Sequence, residues 1–291
     1  MTWYPIKPVI SLSLLSLVLP AQAGLLDAYT SESAPLAGKV WDTQQRRFTN
    51  LESVLEQTPD GSWLLLGETH ENIDHHSLQT DIINFLASKD RLANVAFEMA
   101  HSAQQPLLDG ANSGEIEVTP EALDWQAGWP WEWYQGPVTA AINLADRVVA
   151  ADLTREQKMQ AYGDSSLNVP ASQPYREFML DLLFESHCGQ MPKSQLGSML
   201  RVQYSRDRSM IDAINNNTAE SGVSLLIAGT VHTRIDLGLP YWEPDLNSKT
   251  LLMLAADKDS DPASYYPPSY SDKPVADYIV FTPGFDYQSG C

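Results

Sequence analysis

Short, largely apolar runs alternate along the chain with longer stretches in which apolar residues recur at helical spacing. Continuous apolar runs are typical of strands that are buried on both faces, and the longer periodic stretches are typical of amphipathic helices. The predicted strands are Trp63–Leu66, Asn94–Phe97, Val148–Ala151, Val223–Ala228, Leu251–Ala255 and Tyr278–Phe281. The predicted helices are Asp74–Ala87, Val138–Val149 (which leads into the third strand), Arg176–Glu185 and Pro192–Ala219.

This order of elements predicts an α/β fold with a mainly parallel central sheet and helices on both faces. Strict alternation of apolar and polar residues is missing, which argues against a sandwich or a barrel. No Gly/Ser-rich or Pro-rich linker interrupts the chain between about residues 60 and 255. We therefore expect a single domain over residues 24–291, with its longest loop at Asp261–Pro274.

The first 23 residues have the pattern of a secretory signal peptide. Lys7 precedes an apolar core at Val9–Leu19, and an Ala-x-Ala site ends at Ala23, so we expect cleavage before Gly24. A membrane anchor is the alternative, but the apolar run is shorter than the roughly 20 residues that a spanning helix needs. No cysteine follows the site, so no lipid anchor is expected there. The sequence thus predicts an exported, periplasmic protein without a transmembrane anchor.

Charge and cysteine content narrow the possible partners. The formal net charge is -19, which disfavours nucleic acid and anionic lipid as partners. Cys188 and Cys291 are the only cysteines. In an exported protein they could form a disulfide, or they could be a buried thiol and a terminal thiol, and the sequence leaves both alternatives open.

One short motif occurs twice, each time after a predicted strand. Gly67-Glu68-Thr69-His70 and Gly229-Thr230-Val231-His232 both place a histidine three residues after a glycine, and Glu98 follows a third strand. Ligand crevices of open α/β sheets lie at the carboxyl ends of the strands. We therefore expect His70, His232, Glu68 and Glu98 to meet at one edge of the sheet.

Imidazoles and carboxylates in one crevice suit two kinds of chemistry. His70, His232 and Glu98 could bind a divalent metal ion, or the four side chains could act as acids and bases without a metal. The structural alternative is that each histidine only caps the next helix or bonds a loop carbonyl.

Two helices could bring further polar residues to this edge. Glu71, His75 and His76 follow the first motif, and we expect most of them to lie on a solvated helix start, with one turned toward the crevice. Gln203 and Asp207 interrupt the apolar stripe of the long predicted helix. They are expected to reach the same site, unless Arg206 and Asp207 form an ion pair on a solvated face.

The segment Asp124–Tyr134 contains four of the eight tryptophans of the chain. Such a density is typical either of an aromatic cover or association surface, or of a wall on which a large flat ligand stacks. The sequence does not decide between these alternatives.

Taken together, these motifs resemble those of the ChaN family of iron-regulated haem-binding proteins. The matching segments are Leu65–His76, Asn94–Met99, Asp124–Tyr134, His187–Gly189 with Met191–Pro192, Gln203–Met210, Ala228–Pro240 and Phe281–Pro283. Gln190 departs from the pattern, since a second histidine is expected there, and Gly24 stands where lipoprotein members have a cysteine.

The resemblance implies a haem-binding protein of a haem or iron uptake system, working with the uptake machinery. It also implies a homodimer that holds haem between its subunits, with a tyrosine on iron. Tyr134 is the first candidate for that ligand, with Tyr204 and Tyr241 as alternatives. The residues expected to contact haem are Tyr134, Trp131, His70, His232 and Arg206.

The ChaN family belongs to the superfamily that also holds the Tiki/TraB proteins, and it resembles the erythromycin esterases. The Tiki branch implies metal-dependent peptidase activity through two GxxH motifs and a glutamate, and the esterases imply hydrolysis by a related His/Glu set. The alternative function is therefore a metal-dependent hydrolase that uses Glu68, His70, Glu98 and His232, with His70, His232 and Glu98 as metal ligands.

Overall fold

One eight-stranded sheet organises the computed structural model, which describes residue 1 and residues 24–285. The strands are β1 (Val40–Asp42), β2 (Arg47–Thr49), β3 (Ser62–Glu68), β4 (Leu92–His101), β5 (Arg147–Asp152), β6 (Val223–Gly229), β7 (Ser248–Ala256) and β8 (Tyr278–Pro283). The helices are α1 (Leu51–Gln57), α2 (Ile73–Ser88), α3 (Gln105–Asn112), α4 (Trp131–Leu144), α5 (Arg155–Gly163), α6 (Gln173–Ser186), α7 (Gly197–Asn216), α8 (Thr230–Thr233) and α9 (Leu239–Trp242).

The strand order is β2-β1-β8-β7-β3-β6-β4-β5. All pairings from β8 to β5 are parallel, and only β1 and β2 run antiparallel to their neighbours. The predicted α/β fold with a mainly parallel sheet is therefore confirmed. All six predicted strands are present, each extended by one or more residues at one end at least.

Successive side chains of the central strands point to opposite faces, and each face is covered by helices. Leu64 and Leu66 of β3 pack in a cluster with residues of α2, α3 and α4. Trp63 and Leu65 pack in a second cluster with Met210, Ile211 and Ile214 of α7. Burial on both faces explains why β3 and β6 are apolar without alternation, since every residue of both strands is buried.

The structure differs from the sequence-based expectation at several elements. The hairpin β1–β2 was not predicted, because its strands have only three residues each and most of β2 is exposed. Helix α4 begins and ends earlier than predicted, since Arg147–Asp152 belongs to β5. The long helix α7 is shorter than predicted, because a 3-10 turn at Lys193–Gln195 precedes it.

Two expectations concern the chain ends and the membrane. The predicted signal peptide, apart from residue 1, lies outside the described residues, and so does Cys291. Cys188 is disulfide-bonded. Within the described part of the chain, no helix combines the length and apolar character needed to cross a membrane.

Candidate functional site

Three neighbouring strands end at one edge of the sheet and supply the predicted site residues. β6 lies between β3 and β4. Glu68 is the last residue of β3, Glu98 lies in β4, and His232 lies in the short helix α8 directly after β6. The structure thus brings both GxxH motifs and Glu98 together at one edge, while their chemical roles stay predictions.

His70 is the most accessible of the four residues. Its Nδ1 donates a hydrogen bond to Oε1 of Glu68 at 2.8 Å, and its Nε2 lies 3.8 Å from Oε1 of Glu98. The His70 side chain is 30% exposed, whereas those of Glu68 and Glu98 are buried. A ligand or a solvent molecule would therefore reach the cluster at His70.

Glu98 lies at the centre of the cluster. Its Oε1 accepts a hydrogen bond from Nη2 of Arg206 at 2.6 Å and lies 3.4 Å from Nε2 of His232. Its Oε2 accepts the backbone N–H of Gly229 at 2.6 Å. Both oxygens of this buried carboxylate are therefore satisfied by charged or backbone donors.

Gln203 and Asp207 of helix α7 reach the site, as predicted, and they contact His232. Its Nδ1 donates to Oδ1 of Asp207 at 2.5 Å, and the Gln203 amide nitrogen lies 3.1 Å from the same ring nitrogen. The other Asp207 oxygen accepts Nε1–H of Trp242 at 2.8 Å. Asp207 is buried, so the alternative of a solvated Arg–Asp pair is wrong.

Glu68 is enclosed by residues of α2 and α4. The hydroxyl of Tyr134 donates to its Oε1 at 2.7 Å, Gln79 donates to its Oε2, and Nε2 of His76 lies 3.6 Å from Oε2. Tyr134, the first candidate for an iron ligand, is itself buried. Burial and the adjacent Glu68 raise the pKa of Tyr134, so its phenol is held protonated in this arrangement.

The expectation of a solvated helix start is wrong for His75 and His76. Both are buried, because the face of α2 that carries them turns toward the sheet. The Nδ1 of His75 accepts the backbone N–H of Thr69, and burial lowers its pKa to about 3. Glu71 is exposed as expected.

The electrostatics of the cluster favour protonated imidazoles beside ionised carboxylates. Burial alone would lower the pKa of His232, but Glu98 and Asp207 raise it to about 9. Burial likewise opposes the protonation of His70, and Glu98 and Glu68 raise its pKa above the ordinary value. Burial would raise the pKa of Glu98, but His232, Arg206 and His70 hold it well below its ordinary value.

Both motif glycines are required by close packing. A Cβ on Gly229 would lie 2.7 Å from Nε2 of His70 and 3.5 Å from Glu98, and a Cβ on Gly67 would lie 2.3 Å from the Thr233 hydroxyl. Neither glycine has a positive φ. Gly229 therefore leaves the space that His70 fills, and Gly67 leaves the space that Thr233 of α8 fills.

The cluster does not have the arrangement of a metal site. Among the described residues, no group of three or more His, Cys, Asp or Glu side chains is placed to hold a metal ion. In the predicted ligand set of His70, His232 and Glu98, the carboxylate of Glu98 already forms an ion pair with the guanidinium of Arg206.

The Trp-rich segment lies next to the cluster. The ring of Trp129 contacts that of His70, with centroids 4.7 Å apart. A pocket of about 360 Å³ is lined by Pro120, Trp125, Gln126, Ala127, Trp129, Pro130, Trp131 and Glu132. These side chains are half-buried or exposed, so the segment is both a cover for the core and the wall of a cavity.

A second pocket, of about 320 Å³, lies between α5, α6 and α7 and contains two polar residues that also belong to the cluster. Arg206 and Gln203 line it and contact Glu98 and His232, respectively. The other lining residues are Lys158, Met159, Tyr162, Leu183, His187, Met199 and Val202. Of the residues predicted to contact haem, only Arg206 lines this pocket.

Buried Asp152 connects the two cations of this pocket and was missed in the sequence. It accepts Nε and Nη2 of Arg206 at 3.0 and 2.9 Å, and its Oδ2 lies 2.6 Å from Nζ of Lys158. Asp152 ends β5 just as Glu68 ends β3, so the strand-end signal used for the other carboxylates could have found it. No sequence pattern marks Tyr162.

The alternative tyrosines lie elsewhere. Tyr204 packs edge-to-face on Trp242, and Tyr241 stacks on Tyr175 at 4.5 Å. Both are half-buried. Neither lines the pocket between α5, α6 and α7.

A protein-family model described as "Haem-binding uptake, Tiki superfamily, ChaN" matches residues 54–242, well over half of the 291 residues. The chain belongs to the ChaN family. The ChaN match includes both GxxH motifs, the Trp-rich segment and every residue that lines the two pockets. The family resemblance inferred from these motifs is therefore confirmed.

Several solved structures are similar to this chain. A structure titled "Cofacial heme binding to ChaN of Campylobacter jejuni" is 23% identical, with a TM-score of 0.68, and the match covers 84% of this chain and 97% of that one. A MARTX toxin effector domain from Vibrio vulnificus is 13% identical, covering 77% and 40%, with a TM-score of 0.40. An erythromycin esterase mutant is 10% identical, covering 69% and 72%, with a TM-score of 0.40. No curated protein matches the chain significantly.

We predict that Gly229→Ala destabilises the protein by about 2 kcal/mol, because the added methyl group would overlap His70. Urea unfolding measures this change. Gly163→Ala is the matched control, since a Cβ there meets no atom within 4 Å, and it should leave the stability within about 0.5 kcal/mol. Equal stabilities for the two variants would contradict the packing argument.

The stability should also depend on the protonation of His232. Its pKa of about 9 in the folded protein lies above the ordinary 6.5, so its ion pairs contribute fully below about pH 6.5 and are lost as the pH rises through 9. We expect the free energy of unfolding of the wild type to fall as the pH rises over this interval. The fall should exceed that of His232→Gln, by at most about 3 kcal/mol. Parallel pH profiles of the two proteins, measured by urea unfolding, would refute this.

Proposed function

We propose that this chain binds haem in the pocket between α5, α6 and α7 and serves haem uptake from outside the cytoplasm. Family membership supports haem uptake as the function. The observation that carries the choice of pocket is its composition, which combines two donors for iron, two cations and an apolar lining.

The donor atoms of this pocket fit ferric haem. Nδ1 of His187 lies 2.8 Å from the carbonyl oxygen of Leu183, which can only accept a hydrogen bond, so this nitrogen carries the proton. The Nε2 atom of the neutral ring then has its lone pair free for a metal. The Tyr162 hydroxyl makes no hydrogen bond with the described residues. Bound haem would supply an iron centre for which phenolate and imidazole are established ligands.

The remaining lining fits the rest of the macrocycle. Met159, Leu183, Met199 and Val202 supply apolar contacts, and Lys158 and Arg206 supply positive charge for the two propionates. Nη1 of Arg206 has no hydrogen-bond partner in the described part of the chain, which leaves it available to a carboxylate. A pocket of about 320 Å³ is at the small end of the range for ligand sites. It would enclose part of the macrocycle, and we propose that a second copy of the chain covers the remainder.

Location outside the cytoplasm is supported by two independent features. The N-terminal sequence has the pattern of a signal peptide. Cys188 is disulfide-bonded, and disulfides are typical of oxidising compartments such as the periplasm.

Titration with haemin tests the proposed function. We expect saturable formation of a shifted Soret band in the wild type, with dimerisation on gel filtration when haemin is added. Absence of a saturable spectral change would refute haem binding, and a complex that stays monomeric would refute the proposed second copy.

The tyrosine is identified by a matched pair of variants. Tyr162→Phe should abolish the phenolate-to-iron charge-transfer band, whereas Tyr134→Phe should keep it, because the Tyr134 hydroxyl is buried against Glu68. His187→Gln should weaken binding by about tenfold or more. Loss of the band in Tyr134→Phe alone would instead support the sequence-based choice of ligand.

A second candidate function is hydrolysis by general acid–base chemistry. It rests on the arrangement of two imidazoles around Glu98, with His70 partly exposed and held by Glu68. A panel of p-nitrophenyl esters and peptides, assayed with metal-stripped protein, should show turnover that is lost in His70→Gln and kept in Tyr162→Phe. No turnover by the wild type would refute this candidate and leave the haem proposal untouched.

A further inference from the structure

The pocket in the Trp-rich segment is chemically distinct from the proposed haem pocket. The two share no lining residue. Three indoles and two prolines form most of the Trp pocket, which has a volume of about 360 Å³. It contains no histidine, tyrosine, lysine or arginine, so it offers neither an iron ligand nor a partner for a propionate.

Hydrogen bonds hold one indole and the amide of this pocket in place. Nε1 of Trp125 donates to the carbonyl of Trp129 at 2.8 Å, and the Gln126 amide donates to the carbonyl of Met99 at 2.9 Å. The rings of Trp125 and Trp131 meet at 70° with centroids 5.4 Å apart. The rings of Trp125 and Trp131 therefore form a corner of two steeply inclined aromatic planes in the lining.

The charge of the pocket selects for cations. Glu132 is the one charged side chain that lines it, and the chain as a whole carries a formal charge of -19. The faces of indole rings are electron-rich and attract ammonium groups, most strongly those of methylated amines that are weakly hydrated. Glu132 lies in the first turn of α4, where its carboxylate also offsets the positive end of the helix.

From these observations we infer that the Trp pocket binds a small organic cation of the quaternary or methylated ammonium class. The indole corner supplies cation–π contacts, Glu132 supplies the counter-charge, and the Gln126 carbonyl supplies an acceptor. Trp129 both lines this pocket and contacts His70, so the bound cation lies one side chain away from the His/Glu cluster. This inference does not depend on haem binding.

Calorimetric titration of the full chain with choline tests the inference. We expect saturable binding of choline and no saturable binding of 3,3-dimethyl-1-butanol, its neutral isostere, or of glucose. Equal binding of choline and the neutral isostere would show an apolar pocket without cation recognition, and binding of glucose alone would show a sugar site. Either result, or no binding of any probe, would overturn the inference.

Two variants localise the binding. Glu132→Gln should weaken choline binding by about tenfold. Glu121→Gln removes the same charge from an exposed residue that precedes the Trp-rich segment and does not line the pocket, and it should leave the affinity unchanged. Equal affinities in both variants would place the bound choline elsewhere. Haemin titration of Glu132→Gln should match the wild type, so that failure of one proposal is distinguishable from failure of the other.

Discussion

A buried carboxylate, that of Glu98, is the constraint on which the site depends. Taking a carboxylate out of water costs several kcal/mol unless charged and hydrogen-bonding partners surround it. Glu98 has Arg206, the Gly229 N–H and two imidazoles within 4 Å, and these come from α7, β6 and the two GxxH motifs. The strand order, the glycine that ends β6 and the polar residues on the core-facing stripe of α7 all help to neutralise this one group.

Arg206 extends the same constraint to the neighbouring pocket. Its guanidinium bonds Glu98 and Asp152, and Asp152 in turn pairs with Lys158. The carboxylates and cations alternate from the centre of the sheet edge to the pocket lining, so the cations are held in place without a ligand. An anionic ligand would meet preorganised donors and would not have to order long side chains, which is the usual cost of binding by lysine and arginine.

The sequence predicted the six parallel strands and the meeting of the GxxH motifs because both follow from local patterns. A strand buried on both faces must be continuously apolar, and residues after parallel strands must share an edge. The burial of His75 and His76 could not be predicted, because a helix start beside polar residues looks solvated until its facing is known. Tyr162 and Lys158 lie on α5, a polar helix whose packing on α7 has no signature in its own sequence.

Tyr134 and Tyr162 differ in the two properties that an iron ligand needs. A phenol that binds ferric iron must lose its proton and must be reachable by the macrocycle. Tyr134 is the last residue of the Trp-rich segment, but its hydroxyl donates a hydrogen bond to ionised Glu68. Loss of the Tyr134 proton would leave two negative charges in contact, which raises its pKa. Tyr162 lines a cavity together with Lys158 and Arg206, where a ligand can reach it. Proximity in sequence to a distinctive segment therefore does not by itself qualify a tyrosine as an iron ligand, because burial and hydrogen bonding determine whether its hydroxyl can reach the metal.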